Sequence, residues 1–514
     1  IIIEGSLNKR ALNKSIELQL KKHESLRTGF RKVNGITVQY IKTVNSVTAE
    51  YIDFSGYEDS HIRVEETVNN SVTKEIDLYT NDAVSFSLYQ IAPDSFYLLV
   101  RLHHIIADGW SVKIILEELS DSYNSIINGI DPIPETLRVQ YHDYVLWYED
   151  LIKSGGLNTS ENYWKEKLGN DFPDVNILPP DKHNHLHGKG QREQVTAFID
   201  EQLTSHIRRF SSERKYTSFM LLLASTALTA FQYSGNDDII IASPVSGRIH
   251  PETFNQTGVY TNTVIFRNKI DKKSKVSEFL RALREEVLET YNHQDYPFDF
   301  IPALLKNRKD SKLFSVFVSH ESEEDKIHLD LAGLNTRYSE INIPFSKFGL
   351  SLLFRENKDN IAIIAEYQPE LYSSGYINKL CKDIISSLGV ILFNNDILID
   401  SFSRNIQAHY PKLAEDKGTR RSIITATARE KEIAEIWKTI FNNNIGIDDN
   451  FFEAGGHSIK ALSLISLIKQ KYSVNIDLNF VFSFPTISMQ AAELDNLIWL
   501  NNSSDTGDNG EIVI

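Results

Sequence analysis

The chain is poor in sulfur-containing residues and in positive charge. Its 514 residues include one cysteine, Cys381, and two methionines. A single cysteine excludes disulfides and multi-thiolate metal sites within the chain and favours a reducing compartment, so we expect a cytoplasmic protein. The 54 lysines and arginines against 69 aspartates and glutamates give a formal net charge of −15. This balance argues against nucleic acid or an anionic membrane as a partner, because both need a basic face.

Long apolar runs are also missing. No stretch of about 18 apolar residues and no secretory signal occurs, so no membrane span is predicted. The chain starts at Ile1 in what reads as the middle of a strand, and we expect a fragment or a disordered beginning. A length of 514 residues with 41% apolar content predicts two to four globular domains.

Strand and helix patterns alternate over most of the chain and become purely helical near its end. Ser95–His104 reads as a strand, and an amphipathic helix follows from about Ser111, which lies where an N-cap belongs. Gly169–Arg192 reads as a polar linker. We expect two α/β lobes at 1–170 and 171–405, a linker at 406–424, a helical bundle at 425–498 and a mobile tail at 499–514.

Two histidines end the predicted strand, and an Asp-Gly pair lies in the turn after it. A neutral imidazole of His103 or His104 could accept a proton from an attacking amine, or hold that amine in line. Asp108 could lock the ring or clamp the loop by pairing with an arginine. Gly109 could leave room for a bulky acyl group. Alternatively, these side chains only form the hydrogen bonds of a turn and have no role in catalysis.

The segment from His103 to Gly109 resembles the His-His-x-x-x-Asp-Gly signature of the condensation domains of nonribosomal peptide synthetases. Other motifs of that family follow in order, and the resemblance covers about residues 1–400. Tyr260 and Thr261 stand where the family has Phe and Val, and Asp299 stands where it has Glu. The matching segments are His23–Phe30, Tyr141–Trp147, Gly258–Thr263 and His293–Asp299.

The resemblance implies an α/β (α+β) fold of two chloramphenicol-acetyltransferase-like lobes forming a pseudo-dimer, with an active-site tunnel between them and a carrier docking at each mouth. It also implies that His104 is the catalytic histidine and that Asp108 is structural, with Arg27 proposed as its salt-bridge partner. The other candidates are His103 and Gly109 in the catalytic constellation and Trp110 and Asn262 along the tunnel.

Two family motifs depart from the pattern. The opening Ser-x-Ala-Gln-x-Arg-Leu motif is absent because the chain begins after it, and a late motif is degraded at Arg308–Phe314, so the stereochemistry of the donor is not predicted. The intact His-His and Asp-Gly argue against a heterocyclisation domain, whose signature resembles Asp-x-x-x-x-Asp. An epimerisation domain is disfavoured because such domains usually follow their carrier.

A second site is predicted at Ser458, which opens the helical stripe beginning at Ile459. A phosphodiester at a helix N-terminus gains from free N–H groups and the helix dipole, although Ser458 could be an ordinary N-cap. However, Asp449–Ser458 resembles the attachment motif of peptidyl carrier domains. The resemblance implies a small all-α four-helix carrier bundle in which Ser458 bears 4′-phosphopantetheine, whose thiol carries an aminoacyl or peptidyl thioester.

The first hypothesis for function is transfer of an acyl or peptidyl group from an upstream carrier to the amine of an aminoacyl group on the Ser458 arm. The alternatives are a hydroxyl or free amine as acceptor, or a non-catalytic docking scaffold. Only about 25 to 30 residues separate the two resemblances, so we expect that a separate adenylating enzyme loads the arm in trans, or that an adenylation domain has been removed. The other expected partners are a phosphopantetheinyl transferase and a downstream synthetase domain or thioesterase.

Metal binding is not predicted. His183, His185 and His187 alternate in a polar segment, which makes a poor preorganised site. Cys381 lies in an apolar helical context and is expected to be buried and inert. We expect Tyr144 and Trp147 to pack in a core or an interface.

Overall fold

The structure of the chain is a computed structural model that describes residues 1–43, 48–80, 82–133, 136–169, 172–182, 191–305, 312–322, 327–339, 341, 343–404, 426–441, 445–452, 454, 456 and 458–504. It divides into two compact units. The first comprises Ile1–Gly156, Glu252–Thr261 and Lys326–Ile343, and the second comprises Leu157–Pro251, Asn262–Asp325 and Pro344–Ile514. Each unit is therefore assembled from segments that are distant in the sequence.

The described residues form α-helices and strands in alternation, followed by helices alone. The strands are β1 (Ile2–Glu4), β2 (Thr28–Val33), β3 (Ile36–Ile41), β4 (Glu50–Asp53), β5 (Val84–Ala92), β6 (Ser95–Leu102), β7 (Glu193–Ile199), β8 (Asp238–Val245), β9 (Asn262–Lys269), β10 (Val316–Glu321), β11 (Asn335–Arg337), β12 (Leu350–Glu356) and β13 (Ile361–Tyr367). The helices are α1 (Lys9–Lys22), α2 (Ser60–Thr73), α3 (Gly109–Ile127), α4 (Tyr141–Lys153), α5 (Asn158–Leu168), α6 (Glu201–Arg214), α7 (Ser218–Ser234), α8 (Val276–Asn292), α9 (Ile301–Leu304), α10 (Ser374–Phe393), α11 (Ala428–Phe441), α12 (Ser458–Tyr472), α13 (Leu478–Ser483) and α14 (Ile487–Ser504).

The first unit contains a sheet of order β11-β1-β6-β5-β4, in which only the β4–β5 pair is parallel among the described strands. Helices α1 and α3 pack together in its main core, where Leu12, Ile16, Ile115 and Leu119 are fully buried. In a second cluster, Val64 of α2 packs with β-strand residues. These apolar contacts hold β6, and the end of β6 carries the predicted site.

The second unit contains a sheet of order β7-β13-β12-β10-β8-β9, with β10 parallel to both of its neighbours. Helix α7 is apolar on nearly all sides and is correspondingly buried from Phe219 to Ala230. It packs against α10, where the Thr229 and Ser387 hydroxyls lie 2.8 Å apart. Cys381 of α10 is fully buried, as expected.

Helices α11 to α14 form the predicted helical bundle at the end of the second unit. Trp437 and Phe451 make an edge-to-face pair with ring centroids 5.2 Å apart, and Phe441 lies at the same distance from Phe451. The Trp437 indole N–H donates to the Gln490 side-chain oxygen at 2.9 Å. The buried aromatic cluster therefore joins α11, α14 and the loop before α12.

Several boundaries differ from the sequence-based expectation. Helix α3 begins at Gly109 and is capped by Asp108 rather than Ser111, because the Asp108 side chain accepts the Ser111 N–H. Val175, Ile177 and Leu178 are buried in what reads as a polar linker. Helix α14 continues to Ser504, past the start of the expected tail. The expected linker at 406–424 lies outside the described residues.

Within the part of the chain that the structure describes, no helix combines the length and apolar character needed to cross a membrane.

Candidate active site and attachment site

His103 is held firmly at the end of β6. Its backbone N–H donates to the Ala83 carbonyl at 2.8 Å, which continues the β5–β6 ladder by one residue. Its ring Nδ1 accepts the Ile105 N–H at 3.1 Å. An accepting Nδ1 leaves the proton of the neutral ring on Nε2. His103 therefore shapes the turn that presents the next residue.

His104 lies in that turn and is exposed. Across the residues that the structure describes, neither ring nitrogen of His104 takes part in a hydrogen bond or an ion pair. Its imidazole is therefore available to a reacting group, in contrast to that of His103. An imidazole held at the end of a strand can accept a proton from an amine or orient it.

Asp108 is 3% exposed and binds several groups of the first unit. Its Oδ1 accepts the Ser111 N–H at 2.8 Å and the Ser111 hydroxyl at 2.7 Å. Its Oδ2 accepts the Tyr260 N–H at 3.1 Å and lies 3.3 Å from the Thr261 hydroxyl, which donates to it. These contacts support a structural role, because the carboxylate joins the start of α3 to Glu252–Thr261. The spacing Asp-x-x-Ser is that of a capping box and could have revealed the role of Ser111.

Gly258 explains why the motif Gly258–Thr263 begins with glycine. A Cβ built at this position would lie 2.3 Å from the ring of Tyr141. The Tyr141 hydroxyl in turn donates to the Val259 carbonyl at 3.0 Å. Segments from three of the resembling motifs therefore meet in the first unit, and a larger residue at 258 would separate them.

The expectation that Arg27 pairs with Asp108 is wrong. The Arg27 guanidinium donates instead to the Glu24 carboxylate at 3.1 Å and to the Lys42 carbonyl at 3.0 Å. Glu24 lies three residues earlier in the same short 3₁₀ turn, so it is the carboxylate that Arg27 reaches locally. Arg27 thus supports the turn before β2.

The other candidates have distinct surroundings. The Trp110 indole N–H donates to the Phe254 carbonyl at 3.0 Å. A Cβ at Gly109 would meet no atom within 4 Å. The Asn262 amide is bonded to backbone groups of Gln294, Tyr296 and Phe298. The polar groups of Trp110 and Asn262 therefore bind main chain, whereas Gly109 adjoins open space.

The predicted attachment residue begins a helix, since α12 starts at Ser458. The loop before it is held by Phe451, which is fully buried, and by the Gly456 N–H, which donates to the Phe451 carbonyl at 2.8 Å. A Cβ at Gly456 would lie 2.3 Å from that carbonyl and from the Phe451 ring. Gly456 therefore allows the chain to turn tightly into α12. Glu453, Gly455 and His457 of the motif lie outside the described residues.

This arrangement fits a phosphodiester at residue 458. A 15-residue helix leaves unpaired N–H groups at its first turn, and its dipole favours negative charge there. The glycine-dependent turn positions the serine at that helix end. A phosphopantetheine attachment site and an ordinary N-cap serine share these features.

The remaining candidates concern metal and thiol chemistry. Among the described residues, no cluster of histidine, cysteine and carboxylate side chains could hold a metal ion. His183, His185 and His187 lie outside those residues. Burial raises the pKa of the Cys381 thiol to about 12, so it carries almost no thiolate at neutral pH. Tyr144 packs near Tyr141 and Tyr260, as expected, and the Trp147 ring, although 42% exposed, lies 5.7 Å from the Tyr144 ring between centroids.

Comparison with known families matches both parts of the chain. Residues 1–402 match the family described as "Condensation domain" and residues 431–494 match "Phosphopantetheine attachment site". Malpinin synthetase of Mortierella alpina is 30% identical over 380 residues, covering 73% of this chain and 5% of that protein. Gramicidin S synthase 2 of Aneurinibacillus migulanus is 28% identical over 400 residues, covering 77% and 9%. The chain thus spans less than a tenth of these relatives.

Solved structures show the same fold. The X-domain from teicoplanin biosynthesis has a TM-score of 0.68 at 18% identity, covering 77% of this chain and 90% of that one. The condensation domain from a monacolin K polyketide synthase has a TM-score of 0.66 at 17% identity, covering 78% and 92%. The mixed α/β fold expected from the sequence is therefore confirmed. The helical bundle follows it along the chain.

Proposed function

The chain belongs to the condensation-domain family and carries a phosphopantetheine attachment domain behind that domain, and from this premise we propose that it forms an amide bond between two carrier-bound groups. The donor is an acyl or peptidyl thioester on an upstream carrier. The acceptor is the amine of an aminoacyl group on the chain's own attachment domain. The observation that carries the proposal is the exposed His104 imidazole, which has no partner among the described residues while the loop around it is fixed.

In this mechanism His104 holds or removes a proton of the attacking amine. The amine nitrogen bonds to the donor carbonyl carbon, the carbon–sulfur bond breaks, and the proton leaves with the donor thiol. Cleavage of the thioester drives the step, so no nucleotide is consumed. His103 and Asp108 act through the backbone, because their contacts fix the turn on which His104 lies. General base catalysis of this kind contributes about 10²–10⁴-fold in rate.

The attachment residue is proposed to be Ser458. When it is bound there, the 4′-phosphopantetheine arm supplies a terminal thiol and tethers the acceptor, which raises its effective concentration. The chain's contribution is the turn at Gly456 and the N-terminus of α12, which suit a phosphodiester. The longer product stays on this arm, so we propose that a downstream synthetase domain or thioesterase takes it.

We propose that other enzymes load the arm. Only residues 403–430 lie between the two matched regions, which is too short a segment for another domain. We therefore propose that a phosphopantetheinyl transferase adds the arm and that an adenylating enzyme supplies the aminoacyl group in trans. Amino acid and ATP without that enzyme should leave the arm empty. Loading by this chain alone would contradict the proposal.

The function can be tested by intact mass. The chain is first loaded from aminoacyl-coenzyme A by a phosphopantetheinyl transferase and then mixed with an acyl-loaded donor carrier. We expect a further gain in mass equal to that of the acyl group. This gain should be lost in His104→Ala and kept in His61→Ala, a control at another exposed histidine. An acylated product in solution instead would favour a free amine or hydroxyl acceptor. An unchanged gain in His104→Ala would favour a docking scaffold.

A further inference from the structure

The chemistry proposed above leaves a cavity of the first unit unused. Its volume is about 730 Å³, which lies in the range of about 300–1,000 Å³ that suits small organic molecules. The residues that line it all fall between Leu20 and Arg101, so the cavity belongs to the first unit alone. Because α2 forms one of its walls, we name it the α2 cavity.

A second wall of the α2 cavity is one face of the sheet. Ser85 of β5 lies opposite Arg101 of β6, and Glu50 of β4 lies opposite Ser87 of β5. Residues that lie directly opposite each other share a face, and so do alternate residues of one strand. All four residues therefore share a face, and all four line the cavity. This wall carries charged and hydroxyl groups instead of the apolar side chains of a packed sheet.

The side of α2 that lines the cavity is also polar. Thr67, Asn70, Ser71 and Lys74 follow one another at spacings of three, one and three residues, which places them on one side of the helix. Val64 of the same helix is fully buried in an apolar cluster with strand residues. Helix α2 therefore packs through Val64 and turns hydrogen-bonding groups toward the cavity. Such groups suit a polar ligand.

The α2 cavity has a surplus of positive charge. Its charged lining consists of four cations and two carboxylates, which are Arg27, Lys42, Lys74, Arg101, Glu50 and Asp82. The Lys42 ammonium lies 2.6 Å from the Asp82 carboxylate, so these two charges balance each other. Among the described residues, no carboxylate forms an ion pair with Arg101 or Lys74. An anion in the cavity would meet these two cations.

The Arg101 guanidinium is held beside the end of α2. One of its N–H groups donates to the carbonyl of Lys74, which is the C-cap residue of that helix. A guanidinium has five N–H donors, so further donors stay available to a ligand. Two parallel N–H···O bonds from a guanidinium to a carboxylate are among the strongest hydrogen bonds in proteins. Arg101 is therefore the group best suited to bind an acid.

The rest of the lining is apolar. It comprises Leu20, Leu26, Ile52, Val84 and Phe86. A bare inorganic ion would leave this surface without a partner, whereas an aliphatic chain would remove it from water. The combination of an apolar wall with two available cations fits an organic molecule that ends in an acidic group.

The cavity adjoins the strand that leads to the candidate active site. Arg101 lies three residues before His104, so their Cα atoms are at most about 11 Å apart. On the neighbouring strand, Val84 lines the cavity and lies opposite Leu102, the last residue of β6. An organic acid in this cavity can therefore be a free molecule or the distal end of a donor acyl group.

We propose that the α2 cavity binds an aliphatic chain that ends in a carboxylate, and that Arg101 and Lys74 bind this carboxylate. The binding itself is independent of the proposed function. If the acid is part of the donor, the site also defines the donor class as acyl groups with a distal carboxylate, and this second reading rests on the proposed function.

Calorimetry with hexanoate tests the binding without any catalysis. Hexanamide is the matched neutral probe, and we expect it to bind at least about tenfold more weakly, because a hydrogen bond to a charged group is lost. Arg101→Gln should weaken hexanoate binding by at least about tenfold for the same reason. Urea denaturation of each variant checks that it is folded.

Two further variants complete the binding test. Lys74→Gln should weaken hexanoate binding by about threefold, because Lys74 is exposed, and it replaces Arg101→Gln if that variant does not fold. Arg63→Gln is the control, since Arg63 lies on the same helix, does not line the cavity and pairs with Asp59 at 2.7 Å. It should bind hexanoate like the unmodified chain.

Single-turnover transfer distinguishes the two sources of the acid. Donor carriers loaded with an adipoyl group or with its neutral monoamide differ only in the distal carboxylate. If the acid belongs to the donor, the adipoyl group should be transferred at least about tenfold faster, and Arg101→Gln should bring the two rates together. If the acid is a free molecule, hexanoate should bind while the two donors react at equal rates.

The outcomes separate this inference from the proposed function. Hexanoate that binds no better than hexanamide, together with transfer that does not discriminate between the two donors, would overturn the inference. Hexanoate binding that Arg101→Gln weakens, in a chain that transfers neither donor, would leave the cavity assigned and would contradict the proposed function.

Discussion

The Asp108 carboxylate binds Ser111 twice, through the backbone N–H at 2.8 Å and through the hydroxyl at 2.7 Å. The same carboxylate accepts the Tyr260 N–H at 3.1 Å, 152 residues further along the chain. It thereby fixes the start of α3 against the segment that contains Tyr260. The aspartate of the signature motif thus shapes the loop, whereas His104, which we propose to face the reacting groups, is exposed.

Asp108→Asn is therefore expected to act on stability first. The single amide nitrogen of the asparagine would replace one carboxylate oxygen and face an N–H donor at either Ser111 or Tyr260, which leaves a buried donor unpaired. Such a loss costs about 1–3 kcal/mol of unfolding free energy. Urea denaturation measures it, with the exposed Asp121→Asn in the same helix as control. A change below about 0.5 kcal/mol would show that the carboxylate does not hold the loop.

The open space beside Gly109 leads to a prediction about the size of the donor group. A Cβ here meets no atom within 4 Å, so Gly109→Ala should change the unfolding free energy by no more than about 0.5 kcal/mol. If the open space serves the passage of the acyl group, Gly109→Leu should slow a long-chain donor more than an acetyl donor. Single-turnover rates with the two donors measure the difference. Equal slowing of both would contradict a role in acyl passage.

Ser458→Ala is expected to abolish attachment of the arm while the bundle stays folded. Intact mass after treatment with coenzyme A and a phosphopantetheinyl transferase should show one added group on the unmodified chain and none on the variant. Ser488→Ala, near the start of α14, is the control and should be loaded fully. Loading of the Ser458 variant would place the attachment elsewhere.

The surroundings of Glu356 lead to a prediction about stability in acid. Burial alone would raise the pKa of this carboxyl, but hydrogen bonds and charge from His320 and Arg208 outweigh it and lower the pKa to about 2 from 4.5. Because the folded-state pKa is lowered, the stabilisation is complete above pH 4.5 and is lost as the pH falls toward 2. The full effect is at most about 3 kcal/mol.

Glu356→Gln should therefore flatten the fall of unfolding free energy between about pH 4.5 and 2. Urea denaturation at several pH values in this window measures the slope for each protein. Glu213→Gln, an exposed glutamate on α6, should leave the slope unchanged. Parallel slopes for the unmodified chain and Glu356→Gln would refute the account of this ion cluster.

Much of the fold could be predicted from local patterns. The strand at Ser95–Leu102 and helices α3, α7, α11 and α12 show apolar periodicity or continuous apolar runs, which depend only on nearby residues. The division into units could not be predicted. Glu252–Thr261 folds with the first unit because of bonds such as that from Tyr260 to Asp108, and no local pattern encodes a contact across 152 residues.

The candidate site shows the same limit. His104, Asp108 and Ser458 lie in contiguous motifs, so the sequence alone could identify them as candidates. The predicted Arg27 pairing was wrong because Arg27 binds the carboxylate of Glu24, three residues earlier in the chain, instead of that of Asp108. The bonds of Asn262 to Gln294 and Tyr296 could not be found either, since they depend on the register between β9 and a distant loop.

The most direct test of the account is the single-turnover rate of acyl transfer to the loaded arm in His104→Ala. The variant should load and unfold like the unmodified chain, because the His104 ring has no partner among the described residues. Its transfer rate should fall by about 10²–10⁴-fold, while His61→Ala keeps the full rate. A His104→Ala variant that transfers the donor at the unmodified rate would contradict the central claim.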